Sequence, residues 1–124
     1  MTDITMIEAA AKRLKGHARR TPLLSSPFLD EIAGRRVLVK AECLQVTGSF
    51  KVRGATNAVA CLSDEQKSAG VVGVSTGNHG RGLAYAARAA GVRCIICMSE
   101  LVPQVKVDGI KAQGAEVRRL ESDR

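Results

Sequence analysis

Val71-Val72-Gly73-Val74-Ser75-Thr76-Gly77-Asn78-His79-Gly80 decides the fold. Val71 to Val74 is a short β-branched run of strand length. It gives way to a cluster of Ser, Thr, Gly and Asn, the residues that turns use. From Gly80 to Ala90 the pattern is helical, and Gly91 ends it. Val92 to Met98 reads as a second strand. A helix after Pro103 runs to Gln113 and stops at Gly114, and Ala115-Glu116-Val117 starts a third strand. Strand, helix, strand, helix, strand is the order of βαβ units. The expected class is therefore α/β, with an open parallel sheet.

The turn after Val74 has chemistry of its own. In open parallel sheets, ligands bind off the carboxyl ends of strands. Backbone N–H groups at a helix start can hold an anion. Gly77 and Gly80 permit close backbone approach, and Ser75, Thr76 and Asn78 offer side-chain partners. The segment reads as a loop for a carboxylate or a phosphate. A plain strand–helix turn would use the same residues. A nucleotide-binding α/β domain is a third reading, but the glycines run G-x-x-G-x-G where a dinucleotide loop needs G-x-G-x-x-G.

Working outward toward the N-terminus, the next informative stretch is Glu42-Cys43-Leu44-Gln45-Val46-Thr47-Gly48-Ser49-Phe50-Lys51-Val52-Arg53-Gly54-Ala55. A helix follows to about Leu62, with Val52, Ala55, Ala58, Val59 and Leu62 near helical spacing. Lys51 thus stands at or near a helix N-terminus, where the dipole discourages an ammonium. A lysine kept neutral is an amine nucleophile, typically toward a carbonyl. The plain alternative is a solvated lysine. Farther out, Asp3 or Thr5 caps a helix reaching about Gly16, with Ile4, Ile7, Ala10, Ala11 and Leu14 on one face. Thr21-Pro22-Leu23-Leu24 is extended. Ser26-Pro27 starts a short helix that Gly34 closes. Arg36 to Ala41 is a strand, and Ser63 to Gly70 is a loop or helix-ending turn.

Composition bounds the function. The 124 residues suit one modest domain, and 45% hydrophobic content is globular. Aromatics are 2% and Trp is absent, so the core is built from Ala, Val, Leu and Ile. The net charge is +7, but the basic pairs Lys12-Arg13, Arg19-Arg20, Arg35-Arg36 and Arg118-Arg119 are dispersed. That implies a solvated basic surface and no nucleic-acid partner, while an anionic cofactor or carboxylate substrate fits the sign. Cys94-Ile95-Ile96-Cys97 lies in a strand-like run that points its sulfurs to opposite faces. No second ligand pair is spaced for zinc, so core cysteines, no metal and a reducing, cytoplasmic setting are expected. The opening Met1-Thr2-Asp3 has no signal-peptide pattern, and no apolar run reaches membrane-spanning length.

Thr47-Gly48-Ser49-Phe50-Lys51-Val52-Arg53-Gly54-Ala55 resembles the cofactor-lysine segment of the fold type II pyridoxal-phosphate (PLP) enzymes, the serine/threonine dehydratase, serine racemase and tryptophan-synthase-β group. Ser75-Thr76-Gly77-Asn78-His79-Gly80 is similar to the Ser-x-Gly-Asn-His-Gly loop of the same family, in the right order and at the usual distance. Thr21-Pro22-Leu23 and Met98 to Asp108 also look like family segments, and the finer wording is similar to a threonine-dehydratase-like subgroup that includes the hydroxyectoine-utilisation dehydratases. The resemblance implies that Lys51 carries PLP and acts as the base at Cα. Phe50 would pack against the ring, and Asn78 would bond the 3′-oxygen. Ser75, Thr76, Gly77, Asn78 and His79 would hold the substrate carboxylate. His79 suits a general base by its chemistry alone; the family implies a backbone role. His17 is read as solvated.

The implied activity is a dehydratase or ammonia-lyase on a β-hydroxy amino acid, with a homo-oligomer at full length. Residues 1–40 would belong to the large domain, and 41–124 to a small αβ domain cut short. The family's phosphate-binding glycine loop and the partner of the pyridine nitrogen lie downstream of Arg124, which implies an N-terminal portion. Serine racemases carry serine just before Gly-Asn-His-Gly where this chain has Thr76, which favours elimination over racemisation. The alternatives are a serine racemase and a catalytically incompetent fragment or interaction module.

Overall fold

The computed structural model describes residues 2–120. Helix α1 spans Ile4–Leu14 and starts at Asp3, whose carboxylate accepts the Met6 N–H at 2.9 Å. Strand β1 (Leu23–Ser25) leads to helix α2 (Pro27–Ala33), capped by Ser26 and closed by Gly34 in the left-handed region, as the residues predict. Strand β2 covers Leu38–Lys40, shorter than the expected strand from Arg36 to Ala41. It pairs antiparallel with β1, Leu24 opposite Val39, and stays out of the parallel sheet. The reversal is local. The Asp30 carbonyl accepts the Gly34 and Arg35 N–H groups, and its carboxylate accepts the Val37 N–H at 2.7 Å.

Helix α3 runs Lys51–Ala60, two residues short of the expected end. Helix α4, Asp64–Ala69, occupies the segment read as a loop. Its cause is a capping box: Ser63 Oγ accepts the Gln66 N–H at 3.2 Å, and Gln66 Oε1 accepts the Ser63 N–H at 2.9 Å. The helix buries nothing, so no apolar periodicity marks it. Then follow β3 (Val71–Val74), α5 (Asn78–Ala89), β4 (Cys94–Ser99), α6 (Gln104–Lys111) and β5 (Glu116–Leu120). The sheet is parallel with order β3-β4-β5; Val71 pairs with Cys94 and Ile95 with Glu116.

Strand β4 is the centre. Its alternate residues Cys94, Ile96 and Met98 are buried beneath α5 and α6, with Val107 and Ile110 of α6 and Leu83, Ala84 and Ala87 of α5. The opposite face is more open, with Val72 and Val74 exposed. Cys94 and Cys97 therefore lie on opposite faces, as the alternation predicts. Cys94 is a core thiol whose pKa burial pushes up; Cys97 is only half-buried, which corrects the expectation of two core cysteines. Helix α3 forms an outer layer, packed on α5, and α1 packs on α3. Among the described residues no helix is long and apolar enough to cross a membrane, and no group of three or more His, Cys, Asp or Glu could hold a metal ion.

Candidate active site at the sheet's carboxyl end

The site is assembled from two helix starts. Before α3, the chain turns at Gly48, whose φ of 75° is a conformation that glycine alone adopts freely. The Gly48 N–H donates to the Gln45 carbonyl at 2.8 Å. Phe50 takes the N-cap position with a helical backbone and no side-chain cap, and Lys51 is the first helical residue. The predicted helix-start position of Lys51 is thus met. Its side chain is exposed, with Nζ 4.8 Å from the centre of the exposed Phe50 ring. Thr47 and Ser49 are buried, and neither hydroxyl has a hydrogen-bond partner among the described residues.

The second helix start is that of α5, which begins at Asn78, two residues before the expected Gly80. Ser75 explains it. Its Oγ accepts the Gly80 N–H at 2.9 Å and the Gly77 N–H at 3.2 Å, so it caps the helix across the glycine turn. Its own N–H donates to the Cys97 carbonyl at 3.1 Å, which ties the loop to the end of β4. Ser75 is therefore first an organiser of the loop. The N–H groups of Asn78 and His79 have no partner among the described residues, and the side chains of Thr76, Asn78 and His79 are exposed. Beside them is a cleft of about 180 Å³ lined by Gly77, Asn78, Arg81, Lys106 and Ile110. Neither Arg81 nor Lys106 pairs with a carboxylate among the described residues. Unpaired N–H groups, the positive end of a helix and two cations are the chemistry of an anion site.

Gly82 joins the two starts. A Cβ there would lie 3.1 Å from the Lys51 carbonyl carbon and 3.1 Å from the Val52 nitrogen. A side chain there would press on the backbone of the first turn of α3, so glycine lets α5 approach it closely. Gly82 follows Asn78 by four residues, about 6 Å of helical rise. The lysine and the loop therefore share one end of the sheet. Nothing about the wording of Gly82 revealed this role, because the contact is made by backbone from a distant part of the chain. Arg81 and Lys106 were missed because the cleft they line forms only when α5 and α6 pack side by side.

These features fit PLP in chemistry: an accessible amine at Lys51, an amide at Asn78, unpaired donors for anionic oxygens, and buried hydroxyls in the turn preceding the lysine. The comparisons agree. The family described as pyridoxal-phosphate dependent enzyme matches residues 14–124, and the chain belongs to it. The chain is 52% identical over 120 residues to a Sinorhizobium fredii protein whose name gives threonine dehydratase as an inferred activity, covering 97% of this chain and 36% of that protein. It is 43% identical over 113 residues to a beta-hydroxyaspartate dehydratase of Paracoccus denitrificans, covering 91% and 36%. Among solved structures, serine racemase from Dictyostelium discoideum superposes with a TM-score of 0.90 at 41% identity, covering 94% of this chain and 38% of that one. The processed form of threonine deaminase isoform 2 from Solanum lycopersicum superposes with a TM-score of 0.82 at 29% identity, covering 98% and 37%. The fold is thus that of these PLP enzymes, and the chain spans little more than a third of their length.

Proposed function

We propose that this chain is the cofactor-lysine portion of a PLP-dependent dehydratase, an ammonia-lyase that converts a β-hydroxy amino acid to a 2-keto acid and ammonia. The observation that carries the reading is the Gly82 contact, which sets the Lys51 helix start beside the anion-holding loop. Lys51 would hold the cofactor through its amine, and that amine is the group placed to take the proton from the substrate's Cα. Phe50 would lie against the cofactor ring, and the Asn78 amide would hold its 3′-oxygen. The free N–H groups of Asn78 and His79, with Gly77 and the Thr76 hydroxyl, hold the substrate carboxylate. Ser75 keeps those donors in place by accepting the loop N–H groups, which leaves its hydroxyl proton to donate to the same carboxylate. When bound, PLP supplies the electron sink that makes Cα acidic.

Thr76 supports elimination over racemisation, as do the relatives named dehydratases. A serine racemase is the second reading, supported by the Dictyostelium discoideum relative at 40% identity. We assign residues 1–40 to the large domain of a family-length chain, since Phe28 and Ile32 present apolar side chains to solvent. Residues 41–124 form the small αβ domain, and the full-length protein works as a homo-oligomer in the cytoplasm.

The test has two parts. The protein is mixed with PLP, reduced with borohydride and mapped by peptide. A pyridoxyl label on Lys51, with release of 2-keto acid from L-threonine or L-serine, supports the assignment. Inverted amino acid without keto acid would select the racemase. In Lys51→Ala both label and turnover disappear; normal turnover in that variant removes the assignment.

A further inference from the structure

Two charged residues flank the lysine without joining the site. Glu42 lies in a single 3-10 turn, Glu42–Leu44, and Arg53 is the third residue of α3. They form a two-pronged ion pair. Arg53 Nε donates to Glu42 Oε2 at 2.9 Å, and Arg53 Nη2 to Oε1 at 2.8 Å. Their side chains are 17% and 30% exposed for Glu42 and Arg53 respectively. The Glu42 carboxylate also accepts the Thr21 hydroxyl and lies 3.7 Å from Lys40 Nζ. Arg53 Nη2 reaches on to the Arg19 carbonyl at 3.0 Å. Gln45, buried, holds Arg19 from both sides: its Oε1 accepts the Arg19 N–H at 2.7 Å, and its Nε2 donates to the Arg19 carbonyl at 3.0 Å.

The network closes the loop Cys43–Val52 at its base and straps residues 19–21 across it. The pair is part-buried and adds to stability, but stability is not all that such a cluster supplies. A planar fork with fixed partners does set direction. Lys51 and Arg53 are two residues apart on one helix, so they project to different sides. Arg53 faces the strap while Lys51 faces solvent at the loop. The side chain of Lys51 makes no hydrogen bond among the described residues, so the reach of its amine is set by where the backbone starts its flexible stem and by the Phe50 ring 4.8 Å away. That backbone is held on one side by Gly82 and on the other by the fork.

We propose that Glu42 and Arg53 are positioning residues that fix the backbone from which the Lys51 amine reaches the site, acting through the first turn of α3. This rests on the reading of Lys51 as the cofactor lysine.

The experiment uses the full-length protein and measures, by borohydride trapping and peptide mapping, the PLP concentration that half-labels Lys51. Variants are Glu42→Gln, Arg53→Lys, which keeps charge and loses the fork, and the double variant. Glu116→Gln is the control: it breaks an exposed pair of ion pairs, to Arg93 and Arg118, away from the lysine. Circular dichroism and labelling of the other lysines are read on the same samples. The expected result is at least about a tenfold rise in that concentration for either single variant, with the fold and the other lysines unchanged, because displacement of a reacting group by about 1 Å can cost a hundredfold. The double variant is no worse than the worse single, and the control is unaffected. Wild-type labelling of Lys51 in both single variants overturns the positioning role alone. Loss in step with the folded fraction overturns it too. A wild-type protein unlabelled at Lys51 overturns the cofactor-lysine reading, and the positioning role with it.

Discussion

The stretch from Ile4 to Lys40 and the stretch from Ala41 to Leu120 are built with similar local grammar and end in opposite states. Both have capped helices and short strands. In the second, Ile96 is 0% exposed and Ile110 is 1% exposed. In the first, no residue of α1, α2, β1 or β2 is buried, and Ile32 and Phe28 stand 69% and 68% exposed. The difference lies in layers. Strands β3 and β4 are each followed by a helix that packs against the sheet, so β4 gains cover from α5 and α6. The β1–β2 ribbon has no helix laid over its face. Caps and turns suffice to shape an element; burial needs a second layer.

The largest expected effect tests that contrast directly. Ile96→Ala is expected to cost about 2–5 kcal/mol, while Ile32→Ala stays within about 0.5 kcal/mol. Urea unfolding of each variant decides it; equal losses would mean that the first stretch carries core of its own. Gly82→Ala comes next. Alanine adds about 1 kcal/mol of helix propensity but drives a Cβ into the Lys51 backbone, so a net loss of about 1–2 kcal/mol is expected. Calorimetry measures it, and a stabilised variant would show that the two helices need not touch.

The seam between the two stretches has its own signature in acid. The Arg53 fork, with help from Thr21 and Gln45, holds the Glu42 carboxyl at about 2, against an ordinary value of 4.5. Lys40 also faces it. A lowered folded pKa means that the stabilisation is complete above about pH 4.5 and is lost as pH falls toward about 2. Glu42→Gln should therefore unfold more readily than wild type at pH 6, with the gap closing between those limits. A gap independent of pH would mean that the carboxylate charge is not what stabilises this seam. The smallest effect is at the loop. Ser75→Ala removes the bonds to Gly77 and Gly80 and should cost about 1 kcal/mol, read by thermal unfolding.

Much of the architecture was legible because its causes are short-range. Ser26, Pro27 and Gly34 bound α2 where they were expected to, since a cap, a fixed φ and a left-handed residue act within a few positions. The strand–helix order of residues 71–120 was legible from apolar runs and glycine stops. Helix α4 escaped notice because its capping box stands before a sequence with no apolar face. The start of α5 was placed late because Asn78 and His79, between Gly77 and Gly80, read as loop, when the Ser75 hydroxyl had already organised the turn into a helix start. In the site, Lys51 and the Ser75–His79 loop were legible from wording. The strap through Arg19, Thr21 and Gln45 was not, because hydrogen bonds between residues more than twenty positions apart leave no spacing to read.

By itself the order of residues determined most of the elements, the βαβ class and the two segments proposed to carry the chemistry, because caps, turns and periodic apolar faces act over a few residues. Only the tertiary structure decided that β1 and β2 pair outside the parallel sheet, that Gly82 lays α5 against the Lys51 backbone, and that Glu42 and Arg53 reach Thr21 and the Arg19 carbonyl of the first stretch. Those outcomes depend on which distant surfaces come within an atom's width of each other, and no local preference encodes that distance.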